Sequence, residues 1–301
     1  MARKKKKKSA LKKYFASLFV VCLLFVVGTS VYSRISLYYK APVLDETKAI
    51  TVLPPEFKNI LGTTTGPNNS TDIIFKIPIL MYHYVEYPDP NDKLRVALNI
   101  TPYVFEQQVK TLKDAGFTFL TVTDVGRMIE GKMEVPSKGV VLTFDDGYRD
   151  FYDYAYPILK KYNARATQYV IVDFLDRPNH MFVSQVKEIA ANGLVEIGSH
   201  TMDHVWLRGQ DSKTVKYQVE KSKKELEQMI SKSVSAFCYP YGAFDQQAID
   251  AIKNAGYTTA TSTVLGSRVM SQNRLFLYRI RPGYYTGDNL ISYITQDFSP
   301  R

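Results

Sequence analysis

The sequence predicts an α/β protein built as an irregular (β/α)7-type barrel, preceded by an N-terminal transmembrane helix and a tether. Three observations predict it. Apolar, β-branched runs alternate with helical patterns about seven times, the signature of a parallel sheet and too many units for a small one. Two of the runs end abruptly in polar groups, Asp145-Asp146-Gly147 and His200 with His204, as buried strands do at a sheet edge. All of this follows a charge-free hydrophobic segment placed directly after a lysine cluster.

At 301 residues, 45% hydrophobic and 23% charged, the chain has an ordinary globular composition and can bury a sizeable core. Its net charge of +10 is local: Arg3, Lys4 to Lys8, Lys12 and Lys13 supply eight positives, and 10 − 8 leaves +2 for the rest. A nucleic-acid surface needs basic residues spread over the fold, so no nucleic-acid partner is expected. The two cysteines, Cys22 and Cys238, fall in a hydrophobic segment and a core strand, which gives no disulfide framework.

In chain order, residues 1–13 form a basic cytoplasmic segment and residues 14–33 a signal anchor. The apolar stretch, about 18 residues long, can just span a bilayer, with the lysines kept inside. A cleaved signal peptide is the rival reading, and both export the domain. Residues 34–72, with scattered prolines and Gly62 to Ser70, read as a tether reaching about 35 Å on average.

The globular part, residues 73–301, opens with a strand from Ile77 to His83. Thr101-Pro102 caps a helix whose apolar face carries Phe105, Gln108, Val109 and Leu112 and which closes at Gly116. Strand Phe117 to Val122 and a short helix opening at Thr123 or Asp124 lead to the strand that ends at Asp145. Helix Phe151 to Tyr162, strand Ala166 to Val172 and helix Ser184 to Ala191 precede strand Val195 to Ile197, which delivers the histidines. Asp211 to Ile230 reads as one long helix with a solvated face of Lys, Glu and Gln. Strand Ala236 to Tyr239, helix Gln246 to Ala255, strands Tyr257 to Ser262 and Leu277 to Ile280, and helix Asp288 to Ile294 complete the chain.

Two imidazoles four positions apart can turn toward one ion if the chain coils after its strand. With Asp146 they make a set of two histidines and one carboxylate, three ligands with a place left for water, as in catalytic rather than structural zinc sites. Asp145 is then available to handle a proton.

Thr143-Phe144-Asp145-Asp146-Gly147, Ser199-His200-Thr201-x-x-His204 and Phe237-Cys238-Tyr239-Pro240-Tyr241-Gly242 together resemble the polysaccharide deacetylase family, also called the NodB-homology or carbohydrate esterase 4 family. The resemblance runs from about Ile77 to Tyr293. It implies a barrel fold, and metal ligation by Asp146, His200 and His204. The metal expected is zinc, with cobalt or nickel also suited to such a donor set. It further implies Asp145 as general base and a backbone N–H at Tyr241 as oxyanion donor. The family's usual C-terminal catalytic histidine has no counterpart here, because no histidine follows His204. Leu80-Met81-Tyr82-His83 resembles instead the circularly permuted branch that includes the deacetylases of poly-β-1,6-N-acetylglucosamine, which implies His83 as general acid. Cys238 stands near the position where the family carries an arginine that tunes the base; Arg279 or Arg281 are the candidates to replace it. Trp206 and Tyr241, with Pro240 and Arg281, are expected to help wall a substrate cleft.

The activity so implied is metal-dependent removal of N-acetyl groups from an extracellular N-acetylglucosamine-containing polysaccharide, with release of acetate. An O-acetyl esterase of xylan type, or a retired enzyme that only binds glycan, are the alternatives left open. A magnesium-dependent phosphoryl-transfer enzyme would need a glycine-rich phosphate loop or a second acidic cluster, and neither is found.

Overall fold

Runs rich in Val, Ile, Phe and Tyr become short buried strands, and His83, Asp145 and His200 each follow the last residue of one. The computed structural model describes residues 74–298 together with Pro54 and Phe57. In chain order the elements are β1 (Ile74–Lys76), β2 (Ile79–Tyr82), β3 (Tyr84–Val85), α1 (Lys93–Leu98), β4 (Asn99–Ile100), α2 (Pro102–Asp114), β5 (Thr118–Leu120), α3 (Val122–Ile129) and β6 (Gly139–Phe144). A π-turn (Phe151–Ala155) runs into α4 (Tyr156–Tyr162), followed by β7 (Ala166–Val170), α5 (Val183–Asn192) and β8 (Val195–Ser199). Then come α6 (Ser212–Lys216), a second π-turn (Tyr217–Lys221), α7 (Ser222–Ile230), β9 (Ala236–Cys238), α8 (Gln246–Asn254), β10 (Thr259–Leu265), β11 (Arg268–Met270), β12 (Leu277–Arg279) and α9 (Gly287–Ile294).

Strands β2, β6, β7, β8, β9, β10 and β12 pair in that order, all parallel. The ring closes between its first and last strands. Leu80 bridges Ile280, the Met81 N–H donates to the Ile280 carbonyl at 2.9 Å, and the Ile280 N–H donates to the Ile79 carbonyl at 2.8 Å. The expected seven-stranded α/β barrel is therefore present. β5 adds to β6 outside the ring, β1 pairs antiparallel with β11, and β3 pairs with β4.

Alternation along each strand divides the core in two. Ile79, Val141, Tyr169, Ala236, Cys238 and Leu277 share one cluster with Val122, Val125, Met128 and Ile129 of α3. Leu80, Leu142, Phe144, Val170 and Phe237 belong to the other, with the surrounding helices. A fully buried aliphatic or aromatic side chain contributes roughly 1.5–3 kcal/mol, so both layers matter. α3 begins one residue earlier than the sequence predicts because Thr121 and Asp124 form a reciprocal capping box. It lies so close to β10 that a Cβ at Gly126 would come within 2.7 Å of Thr259 Cγ2. At Gly198 a Cβ would fall 2.5 Å from the Tyr169 ring, which fills the barrel at that level.

Other differences are local. The expected helices 151–162 and 211–230 each contain a π-turn, and the short elements β1, β3, α1, β4 and β11 escape sequence reading. Phe57, within the stretch read as a tether, is buried against Phe244 and Phe276 at ring-centroid distances of 5.3 and 5.4 Å. No helix among the described residues is long and apolar enough to cross a membrane; the expected anchor at 14–33 lies outside them.

Candidate active site

The strand ends converge on one mouth of the barrel. β6 stops at Phe144, and Asp146 takes a left-handed backbone (φ 72°), so the carboxylates of Asp145 and Asp146 reach different partners. β8 stops at Ser199, after which Thr201 and His204 are also left-handed (φ 71° and 62°). Tyr241, following β9, is a fourth (φ 57°). Left-handed backbone at a non-glycine residue costs on the order of 1–3 kcal/mol, and half of the eight such residues described cluster here.

Asp146, His200 and His204 form a compact triangle. Asp146 Oδ1 lies 3.4 Å from His200 Nε2 and 3.3 Å from His204 Nε2, and the two Nε2 atoms are 3.2 Å apart. A tetrahedral ion with nitrogen and oxygen ligands at about 2.0–2.1 Å has ligand–ligand edges of about 3.3–3.4 Å, so the donor set fits one ion. Both Asp146 oxygens are buried without a hydrogen bond, as expected of a carboxylate whose partner is a cation. Burial works against its ionisation, but His204 and His200 outweigh it and hold the carboxyl well below its usual range. The His200 Nδ1–H donates to the Cys238 carbonyl at 2.7 Å, which fixes the tautomer and leaves Nε2 as the free lone pair.

The loop between the histidines is held from behind. The His204 N–H donates to Thr201 Oγ1 at 3.0 Å. Gln218, buried on the second π-turn, accepts from the N–H groups of Met202 (3.0 Å) and Asp203 (3.4 Å). Sequence reasoning missed Gln218, because a glutamine in a charged helix carries no local sign of facing inward.

Asp145 occupies the other half of the mouth. Arg279 grips it in two-pronged fashion, Nη1 to Oδ1 at 2.8 Å and Nη2 to Oδ2 at 2.7 Å. Arg279 also donates from Nη1 to Thr143 Oγ1, from Nε to the Ser262 carbonyl and from Nη2 to Cys238 Sγ (3.0, 2.8 and 3.2 Å). Of the two candidates for the missing arginine, then, the last barrel strand supplies Arg279, only 1% exposed. Burial opposes the ionisation of Asp145, and the Arg279 charge overcomes it, keeping the carboxyl below its ordinary value. Asp145, His200 and Cys238 also lie within ligand distance of one another. The Arg279 guanidinium already sits against two of those three, so no second cation belongs there.

His83, at the end of β2 and 3% exposed, brings Nε2 to 3.8 Å from Asp145 Oδ2. Tyr241 packs at a tilt against His204 (centroids 4.6 Å), and Trp206 stacks on Tyr241 (5.8 Å), giving the histidine pair an aromatic flank. Pro240, just before Tyr241, is buried. Arg281 lines a cavity of about 130 Å³ beside Met81 and Tyr82, next to the strand bearing His83. His180 packs on Tyr148 and Phe174, with Nδ1 against the Pro178 carbonyl.

A family model described as polysaccharide deacetylase matches residues 132–260, a stretch that includes the ligand triangle, Asp145 and Tyr241 but neither His83 nor Arg279. YxkH of Bacillus subtilis (strain 168), which carries the polysaccharide deacetylase name, is 32% identical over 206 residues, 68% of this chain and 71% of that protein. The poly-β-1,6-N-acetyl-D-glucosamine N-deacetylase of Staphylococcus epidermidis is 30% identical over 199 residues, 59% of this chain and 68% of its own. The solved structure of the Streptococcus pyogenes deacetylase PplD in complex with acetate matches with a TM-score of 0.69 at 29% identity, over 74% of this chain and all of that one. With the barrel, its acid-and-histidine mouth and these relatives in agreement, the chain belongs to the polysaccharide deacetylase family.

Proposed function

We propose that this chain is a metal-dependent N-deacetylase that removes acetyl groups from an N-acetylglucosamine polymer outside the cell membrane. The observation that carries this reading is the Asp146–His200–His204 triangle with Asp145 and His83 3.8 Å apart beside it. Asp146, His200 and His204 would hold the ion, zinc first among the candidates. When bound, that ion supplies Lewis acidity, lowering the pKa of a water and polarising an acyl oxygen.

The chain's own groups do the rest. Asp145, kept ionised and oriented by Arg279, accepts the proton of the attacking water at its carboxylate. His83 holds a proton at Nε2 for the leaving amine. The Tyr241 N–H faces the developing oxyanion. Trp206 and Tyr241 offer rings against which a sugar face can lie, with Pro240 and Arg281 completing the cleft. The name of the staphylococcal relative supports a β-1,6-linked polymer as the first substrate to try. Residues 14–33 would anchor the chain and keep the domain at the outer surface.

The test uses the full chain: metal content, and acetate release from β-1,6-linked and β-1,4-linked N-acetylglucosamine oligomers and from O-acetylated xylan. About one divalent ion per chain is expected, with acetate released from an oligomer, lost on chelation and restored by zinc. Release from xylan alone, or release indifferent to chelation, would refute the reading. Expression without residues 1–33 moves the activity from the membrane fraction to the soluble one.

A further inference from the structure

Asp150 has no part in the chemistry just described, yet it is 5% exposed and carries a carboxylate. It precedes the first π-turn but makes no side-chain cap to it. Its Oδ2 instead accepts the N–H of Val85, 65 positions earlier and two residues after His83. That contact falls where β2 ends and the chain leaves the barrel wall. On the near side, Tyr82 is still tied to β6, since the Asp145 N–H donates to its carbonyl at 3.0 Å. On the far side, β3 pairs with β4 in place of β6.

The rest of the segment is clamped from the same direction. The Tyr84 ring stacks on Tyr148 at 4.0 Å, with the Arg95 guanidinium 4.5 Å over its other reaches. Tyr148 and Asp150 both sit on the turn that follows Asp145 and Asp146, so the loop bearing the base grips the segment bearing His83. Asn99 secures the next residue, accepting the Glu86 N–H at 3.1 Å and donating to the Glu86 carbonyl at 2.9 Å.

We propose that Asp150 is a positioning residue, whose carboxylate fixes Val85 and through it sets the distance between His83 and Asp145. This rests on the reading of His83 as the acid. A displacement of about 1 Å at a reacting group can cost on the order of 100-fold in rate, so one backbone hydrogen bond at this hinge is enough to matter.

The experiment is a double-mutant cycle on the zinc-loaded full chain, reading acetate release from an N-acetylglucosamine oligomer. Asp150→Ala is expected to lower kcat by about 10- to 100-fold with KM within about twofold and metal content unchanged. Asp150→Asn retains an acceptor for Val85 and is expected within about threefold of the parent. If Asp150→Ala fails to fold, Asp150→Ser, too short to reach Val85, is read in its place. The decisive comparison is His83→Ala against His83→Ala with Asp150→Ala. If Asp150 acts through His83, the second change adds no more than about twofold. Full additivity in the slowed but measurable His83→Ala background overturns the role of Asp150 and leaves His83 as the acid. A His83→Ala protein with parental activity overturns both.

Discussion

Replacing Arg279 by methionine tests how the barrel tolerates its buried acid. Met keeps the apolar stem but removes both bonds to Asp145 and the donors to Thr143 and the Ser262 carbonyl. Breaking one side of a buried pair typically costs about 3–5 kcal/mol, because the survivor is left as an uncompensated charge. For a domain of this size each kcal/mol shifts the melting temperature by about 2–4 °C, so Arg279→Met should melt about 6–20 °C lower. Asp145→Asn leaves the guanidinium stranded and should lose a comparable amount. The double variant, Asp145→Asn with Arg279→Met, should recover much of the loss, since neither charge remains. At neutral pH Arg279→Met should also release acetate about 10²–10⁴-fold more slowly, because burial then drives Asp145 toward its protonated form. Thermal unfolding of all four proteins, with acetate release alongside, supplies the check. A single variant melting within about 2 °C of the parent, or losses that simply add in the double variant, would show that the contact carries no such energy.

Two further predictions concern groups behind the site. Gln218→Ala leaves the Met202 and Asp203 N–H groups without their acceptor and should weaken metal binding by about 10- to 100-fold in chelator competition, with the fold intact. Asp150 gives a pH effect on stability: burial lifts its carboxyl to about 7, against the pull of the Val85 N–H and Arg95 and with the push of Glu86. A carboxyl raised in the folded state keeps its proton where the unfolded chain, at about 3.9, has lost it. Its contribution is therefore most favourable below pH 4 and declines up to about pH 7, by roughly 4 kcal/mol for three pKa units. Asp150→Asn lacks that decline, so denaturant unfolding from pH 4 to 8 should favour the variant progressively as pH rises; a constant difference would contradict the assignment.

Much of the site was legible because strands end in a way that side-chain alternation makes visible. Asp145, Asp146, His200 and His204 each follow an apolar run, and His83 does too. What stayed hidden depends on contacts between distant parts of the chain. Arg279 is 134 positions from Asp145, and nothing local separates it from Arg281 two residues on. The cysteine that stands near the expected arginine could be seen, but not that its sulfur would accept from the substitute. Beside Gly147 and Gly242, the left-handed residues at the mouth include Asp, Thr, His and Tyr, and composition gave no warning of those four. A π-turn widens one turn of helix by a residue, too small a shift to read from periodicity, yet it buries Gln218 beside Val219. Strands β1, β3, β4 and β11, two or three residues each and outside the ring, carry too short a pattern to read.

The barrel seam joins the two ends of the folded chain, β2 at its start and β12 at its close. Asp146, His200 and His204 come from the middle of the chain, whereas His83 and Arg279 come from opposite sides of that seam. A chain lacking its last thirty or so residues therefore keeps Asp146, His200 and His204 but loses Arg279, along with the backbone that pins β2. On the proposed reading, metal binding needs only the middle of the sheet, whereas turnover also needs the seam strands that carry His83 and Arg279.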